Sequence, residues 1–345
     1  MQRQTVSFTR NAANVFFHIL TRCNLRCRHC YINPAQHGSN TLNIHTICKW
    51  LDTFTKRHPS ANLILLGGEP TLHPDLAEAV HHARALGYAS ITIDTNGYLF
   101  HDILNKVTPD MVDVFSFSLD GYCPAVNDPL RGPGSFDVCT AGIVAAKKRG
   151  FSVSLICTVS TANIAHLQEM PALLEKLNVD RFFIQVIGIR GQWTDDADRC
   201  QTLAQVDRDT WMTVVPRVAE DAARRGIPTI FPKVFLNVEE TFECAGKVTN
   251  NYFIFPNGRV YRCPLCEDYP LHSLMMEGDA LVPAPRINEA DLFSIDIAEG
   301  CVMNRIIQPR NLPADTHCPS FKIACCMLKE MVMPSAFNDN DNRLI

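Results

Sequence analysis

The chain has 345 residues, 46% of them hydrophobic, so it can bury a sizeable core and is not globally disordered. Lys and Arg number 32 against 36 Asp and Glu, a formal net charge of −4; there is no basic excess to suggest nucleic acid, and no apolar run reaches the ~18 residues of a membrane span. Fifteen cysteines are an odd number, and Met1–Leu20 do not read as a secretory signal. This argues against a disulfide framework and for metal-binding thiols in a reducing, cytoplasmic compartment.

Six β-type runs recur: Val15–Thr21, Leu63–Leu66, Ser90–Asp94, Val112–Ser118, Val153–Val159 and Phe182–Ile189. Each is nearly continuous in hydrophobicity, as strands covered on both faces should be. Between the first two, Ile47, Trp50, Leu51 and Phe54 fall on one helical face. Leu76 and Val80 open another helix, and Leu167, Leu173, Leu174 and Leu177 mark a later one. This alternation predicts an α/β fold with a parallel sheet, and six units are two short of a closed eight-strand barrel. Arg190–Gln201 reads as a polar loop and Asp207–Arg225 as a helix. Tyr252–Pro256 and Val260–Arg262 flank Asn257-Gly258, a hairpin signal. A boundary near 226–240 divides residues 1–225 from a smaller cysteine-rich domain, 226–345, with a frayed tail at Asn338–Asn342.

In such a sheet the chemistry belongs at the C-terminal strand ends. After the first strand comes Cys23-Asn-Leu-Arg-Cys27-Arg-His-Cys30-Tyr31. Three thiolates of a [4Fe–4S] cluster leave one iron open; a zinc knuckle or plain buried thiols fit the spacing as well. The following strands end in Gly67-Gly68-Glu69-Pro70, Thr95-Asn96-Gly97 and Ser118-Leu119-Asp120-Gly121. Singly each is an ordinary turn or cap, but together with the triplet they form a constellation.

CNLRCRHCY, GGEP, TNG, SLDG, NDPLRGPGSFD and TVSTANIAHL, in that order across roughly 14–190, resemble the radical S-adenosylmethionine (SAM) superfamily. The resemblance implies a six-stranded partial (β/α) barrel in which Cys23, Cys27 and Cys30 hold the cluster and SAM chelates its open iron. It implies that Gly67, Gly68 and Glu69 receive the methionyl amine, that backbone near Tyr31 meets the adenine, and that Ser118 contacts the ribose or carboxylate. Thr95, Asn96, Asp120, Thr158 and Asn163 are weaker carry-overs. It also implies reductive cleavage of SAM to methionine and a 5′-deoxyadenosyl radical that takes a hydrogen atom from substrate, with an electron donor such as flavodoxin or ferredoxin as partner.

Cys244, then Gly258 and Cys263, resemble the opening of the SPASM and twitch extensions of that superfamily, which carry auxiliary iron–sulfur clusters. Cys266, Cys301, Cys318, Cys325 and Cys326 follow, but the usual C-x2-C-x5-C-x3-C run is missing. Seven cysteines cannot fill two full clusters, so one cluster, or two with an open or non-cysteine position, would fit. Cys325 and Cys326 are adjacent, so one reads as a bystander, and a zinc ribbon is the alternative at Cys263-x2-Cys266. Cys48, Cys123, Cys139, Cys157 and Cys200 read as ordinary thiols. Gln185 reads equally as a barrel-interior contact and as packing. The functional expectation is peptide or protein modification. The alternatives are small-molecule tailoring of a tetrapyrrole, sugar or cofactor precursor, and a non-catalytic metal scaffold.

Overall fold

The computed structural model describes residues 2–10, 12–188, 190–191, 203–285, 287–307 and 320–335. Cys200, Cys318, residues 192–201 of the polar loop and the tail expected at Asn338–Asn342 lie outside them.

One mixed sheet of thirteen strands organises the described residues. Strand β1 (Gln2–Val6) lies at one edge. The six expected strands are β2 (Ala13–His18), β3 (Asn62–Leu66), β4 (Ser90–Thr95), β5 (Val114–Ser118), β6 (Val153–Val159) and β7 (Arg181–Val186), side by side and parallel. Their side chains alternate. On β4, Ile91, Ile93 and Thr95 are buried, while Thr92 and Asp94 are only partly covered. The buried set packs under helices: Ile47, Trp50, Leu51 and Phe54 of Ile44–Arg57, and Leu76, Ala79, Val80 and Ala83 of Leu76–Ala85, join the same core. Asn43 starts the first of these helices by accepting from Thr46 N at 2.9 Å.

The sheet does not stop at six. β8 (Thr229–Pro232) adds parallel to β7, and the short β9 (Phe235–Leu236) follows. β10 (Asn250–Ile254) adds parallel to the free edge of β2. It turns at Asn257-Gly258, where Gly258 has φ +85, into β11 (Arg259–Tyr261), which continues antiparallel into β12 (Leu274–Glu277) and β13 (Ala280–Pro283). β14 (Lys322–Ile323) pairs with β9, and β15 (Lys329–Met333) bridges β8 and β1. The C-terminal cysteine-rich segment is thus stitched onto both flanks of the parallel strands.

At the N-terminal ends of these strands a polar ladder crosses the sheet. Asn251 Nδ2 donates to Thr249 Oγ1, Asn14 Nδ2 to Asn251 Oδ1, Asn62 Nδ2 to Asn14 Oδ1, and Ser90 Oγ to Asn62 Oδ1, each within 2.8–3.0 Å. Each asparagine oxygen accepts from a donor on the next strand, so polar groups can sit inside a sheet that is otherwise apolar.

Candidate active site and auxiliary cysteine pocket

The cysteine loop leaves the C-terminal end of β2. Exposure alternates along it: Arg22, Asn24 and Arg26 face solvent while Cys23, Leu25 and Cys27 are half-buried. Leu25 N–H points at Cys23 Sγ (3.3 Å), and Cys30 N–H turns back onto Cys27 O (3.2 Å). Burial pushes the Cys23 thiol up to about 12 and the Cys27 thiol up to about 11, and raises Cys30 as well. Without a bound cation these thiols keep their protons, and metal binding must release them.

The glycines of Gly67-Gly68 serve close approach. A Cβ on Gly67 would sit 2.7 Å from Leu20 O, and one on Gly68 would sit 2.3 Å from Arg22 O. Gly68 N and Glu69 N donate to those same two carbonyls at 3.0 Å, clasping the root of the loop. The Glu69 carboxylate is buried and turned into the fold. It accepts from Thr71 N (3.1 Å), Thr71 Oγ1 (2.5 Å), Thr95 Oγ1 (2.9 Å) and Asn96 N (2.7 Å). Burial raises its pKa, and these donors oppose that. The carboxylate expected at the SAM ammonium therefore already has four donors of its own, and it joins the ends of β3 and β4. Asn96 Nδ2 reaches across to Asn24 Oδ1 at 2.8 Å.

Asp120, at the end of β5, is the second junction. Its Oδ2 lies 2.6 Å from Arg131 Nε and 3.2 Å from His29 Nε2, and its Oδ1 accepts from Thr158 N at 2.7 Å. Asn163 Nδ2 donates to Asp120 O and Thr158 O, both at 2.9 Å. Burial lowers His29 to about 4, against the pull of Asp120. Ser118 is half-buried and its carbonyl faces the Cys139 thiol at 3.6 Å.

Tyr31 packs behind the loop. Its hydroxyl donates to His18 Nε2 (2.7 Å), because His18 Nδ1 faces Ile254 O (3.0 Å) and must carry the ring proton. The Arg190 guanidinium lies 4.8 Å from the Tyr31 ring centre and pairs with buried Glu267 at 3.0 Å. Tyr31, His18 and Arg190 thus tie the cysteine loop to the segment just after Cys266.

The C-terminal thiols converge. Cys244, Cys263, Cys301, Cys325 and Cys326 line one pocket, and Cys266 sits one turn from Cys263 (N–H to Cys263 O, 3.1 Å). Both adjacent cysteines, 325 and 326, reach this pocket. The buried Glu289 carboxylate shapes its rim by accepting from Arg262 N (2.6 Å), Cys263 N (3.0 Å) and Ser273 Oγ (2.6 Å). By contrast, Cys48, Cys123, Cys139 and Cys157 are scattered elsewhere; all thirteen described cysteines are free thiols.

Residues 17–190 match the Radical SAM superfamily, half of the chain. The chain belongs to the radical SAM superfamily. It is 31% identical over 221 residues to the pre-heme d1 synthase of Dinoroseobacter shibae, covering 62% of this chain and 53% of that protein. It is 31% identical over 157 residues to the mycofactocin maturase MftC of Mycobacterium tuberculosis, covering 45% and 39%. The chain spans about half or less of the length of these curated relatives. Among solved structures, Streptococcus suis SuiB bound to precursor peptide SuiA superposes with a TM-score of 0.66 at 14% identity, over 86% of this chain and 72% of that one, a likeness of fold.

The superfamily uses a [4Fe–4S] cluster and SAM, and the donor sets of this radical SAM chain fit such clusters. Among the described residues no three His, Cys, Asp or Glu side chains converge on a single-ion position. A cubane does not require it, since each thiolate meets its own iron. Among the described residues no helix is long and apolar enough to cross a membrane. Sequence reasoning passed over His29 and Arg131, although both lie inside quoted motifs. It also passed over Asp94, a charge in an apolar strand, and Glu289, which carries no motif.

Proposed function

We propose that this chain reductively cleaves SAM and abstracts hydrogen from a peptide or protein substrate. The observation that carries this reading is the clasp of the cysteine loop by Gly68 N and Glu69 N at the mouth of a parallel barrel. Cys23, Cys27 and Cys30 would hold the cluster, and Gly67–Glu69, Thr95, Asn96, Ser118, Asp120 and the backbone at Tyr31 would form the wall against SAM. When bound, these groups supply a 5′-deoxyadenosyl radical. The chain's part is to hold three thiolates, exclude water and aim one C–H bond of the substrate at that radical.

Cys244, Cys263, Cys266, Cys301, Cys325 and Cys326, with Cys318 a further candidate, would supply the ligands of one auxiliary iron–sulfur cluster, or of two with an open or non-cysteine position. Residues 1–225 would then be the catalytic barrel and 226–345 the auxiliary region, working in the cytoplasm with a flavodoxin or ferredoxin as electron donor. The likeness of fold to SuiB, solved with a precursor peptide, supports the peptide reading. A tetrapyrrole substrate is the second reading, favoured by the match to a pre-heme d1 synthase over 62% of the chain.

Anaerobic reconstitution followed by SAM and dithionite tests the chemistry. 5′-Deoxyadenosine is expected, and its absence at full cluster loading would overturn the reading. Mass spectrometry with candidate peptides and with porphyrinoids then separates the two substrate classes.

A further inference from the structure

The first acidic residue of the chain is Asp52. Six basic side chains precede it: Arg3, Arg10, Arg22, Arg26, Arg28 and Lys49. Three of them are neutralised from other parts of the chain, Arg3 by Glu330 (2.5 Å), Arg10 by Glu243 (2.6 Å) and Lys49 by Asp279 (2.8 Å). Arg22 and Arg26 are different. Both are exposed, and among the described residues neither side chain has an ion pair or a hydrogen bond. The carboxylates of the elements packed on this loop are already engaged: Glu69 by its four donors, Asp120 by Arg131 and His29, and Asp128 by Gly134 N (2.7 Å) and Phe136 N (2.9 Å).

The unpaired charge is therefore confined to one face of the cysteine loop. The alternation places Arg22, Asn24 and Arg26 outward, one residue away from Cys23 and Cys27. On the radical SAM reading, hydrogen abstraction would take place on the barrel side of that loop. On the solvent side only electrons would have to arrive, one for each SAM cleaved.

We propose that Arg22 and Arg26 form a docking surface for an acidic one-electron carrier protein, which delivers its electron through the loop to the cluster held by Cys23, Cys27 and Cys30. In that step the carrier is oxidised by one electron and the cluster is reduced by one; no atom moves. Positive charge on the rim of a contact raises the encounter rate with an acidic partner and makes it sensitive to salt. This proposal rests on the radical SAM reading above.

Flavodoxin is a suitable probe, since dithionite, a small reductant, needs no docking surface. Reconstituted wild type is compared with the doubly substituted Arg22→Glu/Arg26→Glu and Arg22→Gln/Arg26→Gln proteins. Charge reversal should weaken flavodoxin binding about tenfold or more at low salt and slow flavodoxin-driven 5′-deoxyadenosine formation in step. The glutamine variant should fall between, and raising salt should bring the wild type towards the variants. Iron content and dithionite-driven turnover should match wild type in all three. Equal flavodoxin affinity and rate across the three proteins would overturn the docking surface. So would a parallel loss of dithionite-driven turnover, which would assign the arginines to the charge balance of the cluster. Failure of wild type itself with dithionite would instead strike at the radical SAM reading.

Discussion

Arg131 Nε lies 2.6 Å from Asp120 Oδ2, in an ion pair that joins the end of β5 to the helix edge beneath the cysteine loop. Arg131 also offers its backbone carbonyl to the Cys27 thiol at 3.8 Å, and Leu130 O accepts from Arg28 N at 2.8 Å. The helix end that this buried pair anchors is thus one of the supports of the loop. Removing a single partner strands the other charge, at about 3–5 kcal/mol. Asp120→Ala should lower the urea unfolding free energy by that order and open the Arg26–Arg28 segment to trypsin. Unchanged stability and protease resistance would show the pair to be incidental.

Gly68→Ala should act on the site without removing any polar group. Its new Cβ would meet the Arg22 carbonyl at 2.3 Å, where only backbone can yield. Overpacking of this kind costs about 1–3 kcal/mol and moves main chain. Folding should survive, while SAM affinity and 5′-deoxyadenosine formation fall by roughly tenfold or more for each 1.4 kcal/mol lost at the site. Isothermal titration of SAM against the reconstituted variant measures this directly.

The pocket at Cys244, Cys263, Cys301, Cys325 and Cys326 makes its own prediction. With Cys23, Cys27 and Cys30 all replaced by Ala, the chain should still bind iron and sulfide, about four of each per auxiliary cubane. Adding Glu289→Ala releases the N–H groups of Arg262 and Cys263, costing about 1–3 kcal/mol for each left unpaired, and should lower that loading. Zinc in place of iron, or no metal after anaerobic reconstitution, would make these thiols structural.

Asp94 sets a pH dependence. It faces the barrel interior, and burial, followed by Glu69, raises its pKa to about 7 from 3.8, although the Ser116 hydroxyl donates to it. Below pH 4 the carboxyl is protonated in both folded and unfolded chains. Between about 4 and 7 the unfolded chain loses this proton first, so wild-type stability falls as pH rises and the loss is complete above 7. Asp94→Asn should lack this decline. The stability difference between variant and wild type should grow across that window by about 4 kcal/mol at most, read from urea unfolding of the metal-free chain at pH 4, 5.5 and 8. A constant difference would show that folding does not raise the Asp94 carboxyl above its unfolded value.

The parallel core was legible because its strands are continuous apolar runs and its helices carry a 3.6-residue stripe: Ile47, Trp50, Leu51 and Phe54 are the face that Ile44–Arg57 buries. Motif glycines and cysteines were legible because their spacing is set by local backbone. β8 was not, since Thr229–Pro232 is four residues between prolines and gives no period. β10 was read as half of a hairpin, because periodicity says nothing about which strand lies on its other side. The donors that gather on the Glu69 carboxylate, from Thr71, Thr95 and Asn96, were not legible, because two of the three residues lie 26 and 27 positions away on another strand end. Glu289 was invisible, as its partners lie 16–27 residues away and are mostly main-chain amides.

The asparagine ladder also sets an order of events during synthesis. β2 is among the first strands to leave the ribosome, yet its outer neighbour is residues 250–254, and Asn14 waits for a partner 237 positions downstream. β1 waits longer still, for β15 at 329–333. Until then the nascent barrel exposes an unpaired strand edge and an unanswered amide, the surfaces that invite pairing with other chains. Contacts of such long range slow folding. Residues 1–225 cannot be excised as a tidy fragment: cutting the chain there removes the strands that seal both flanks of the parallel core.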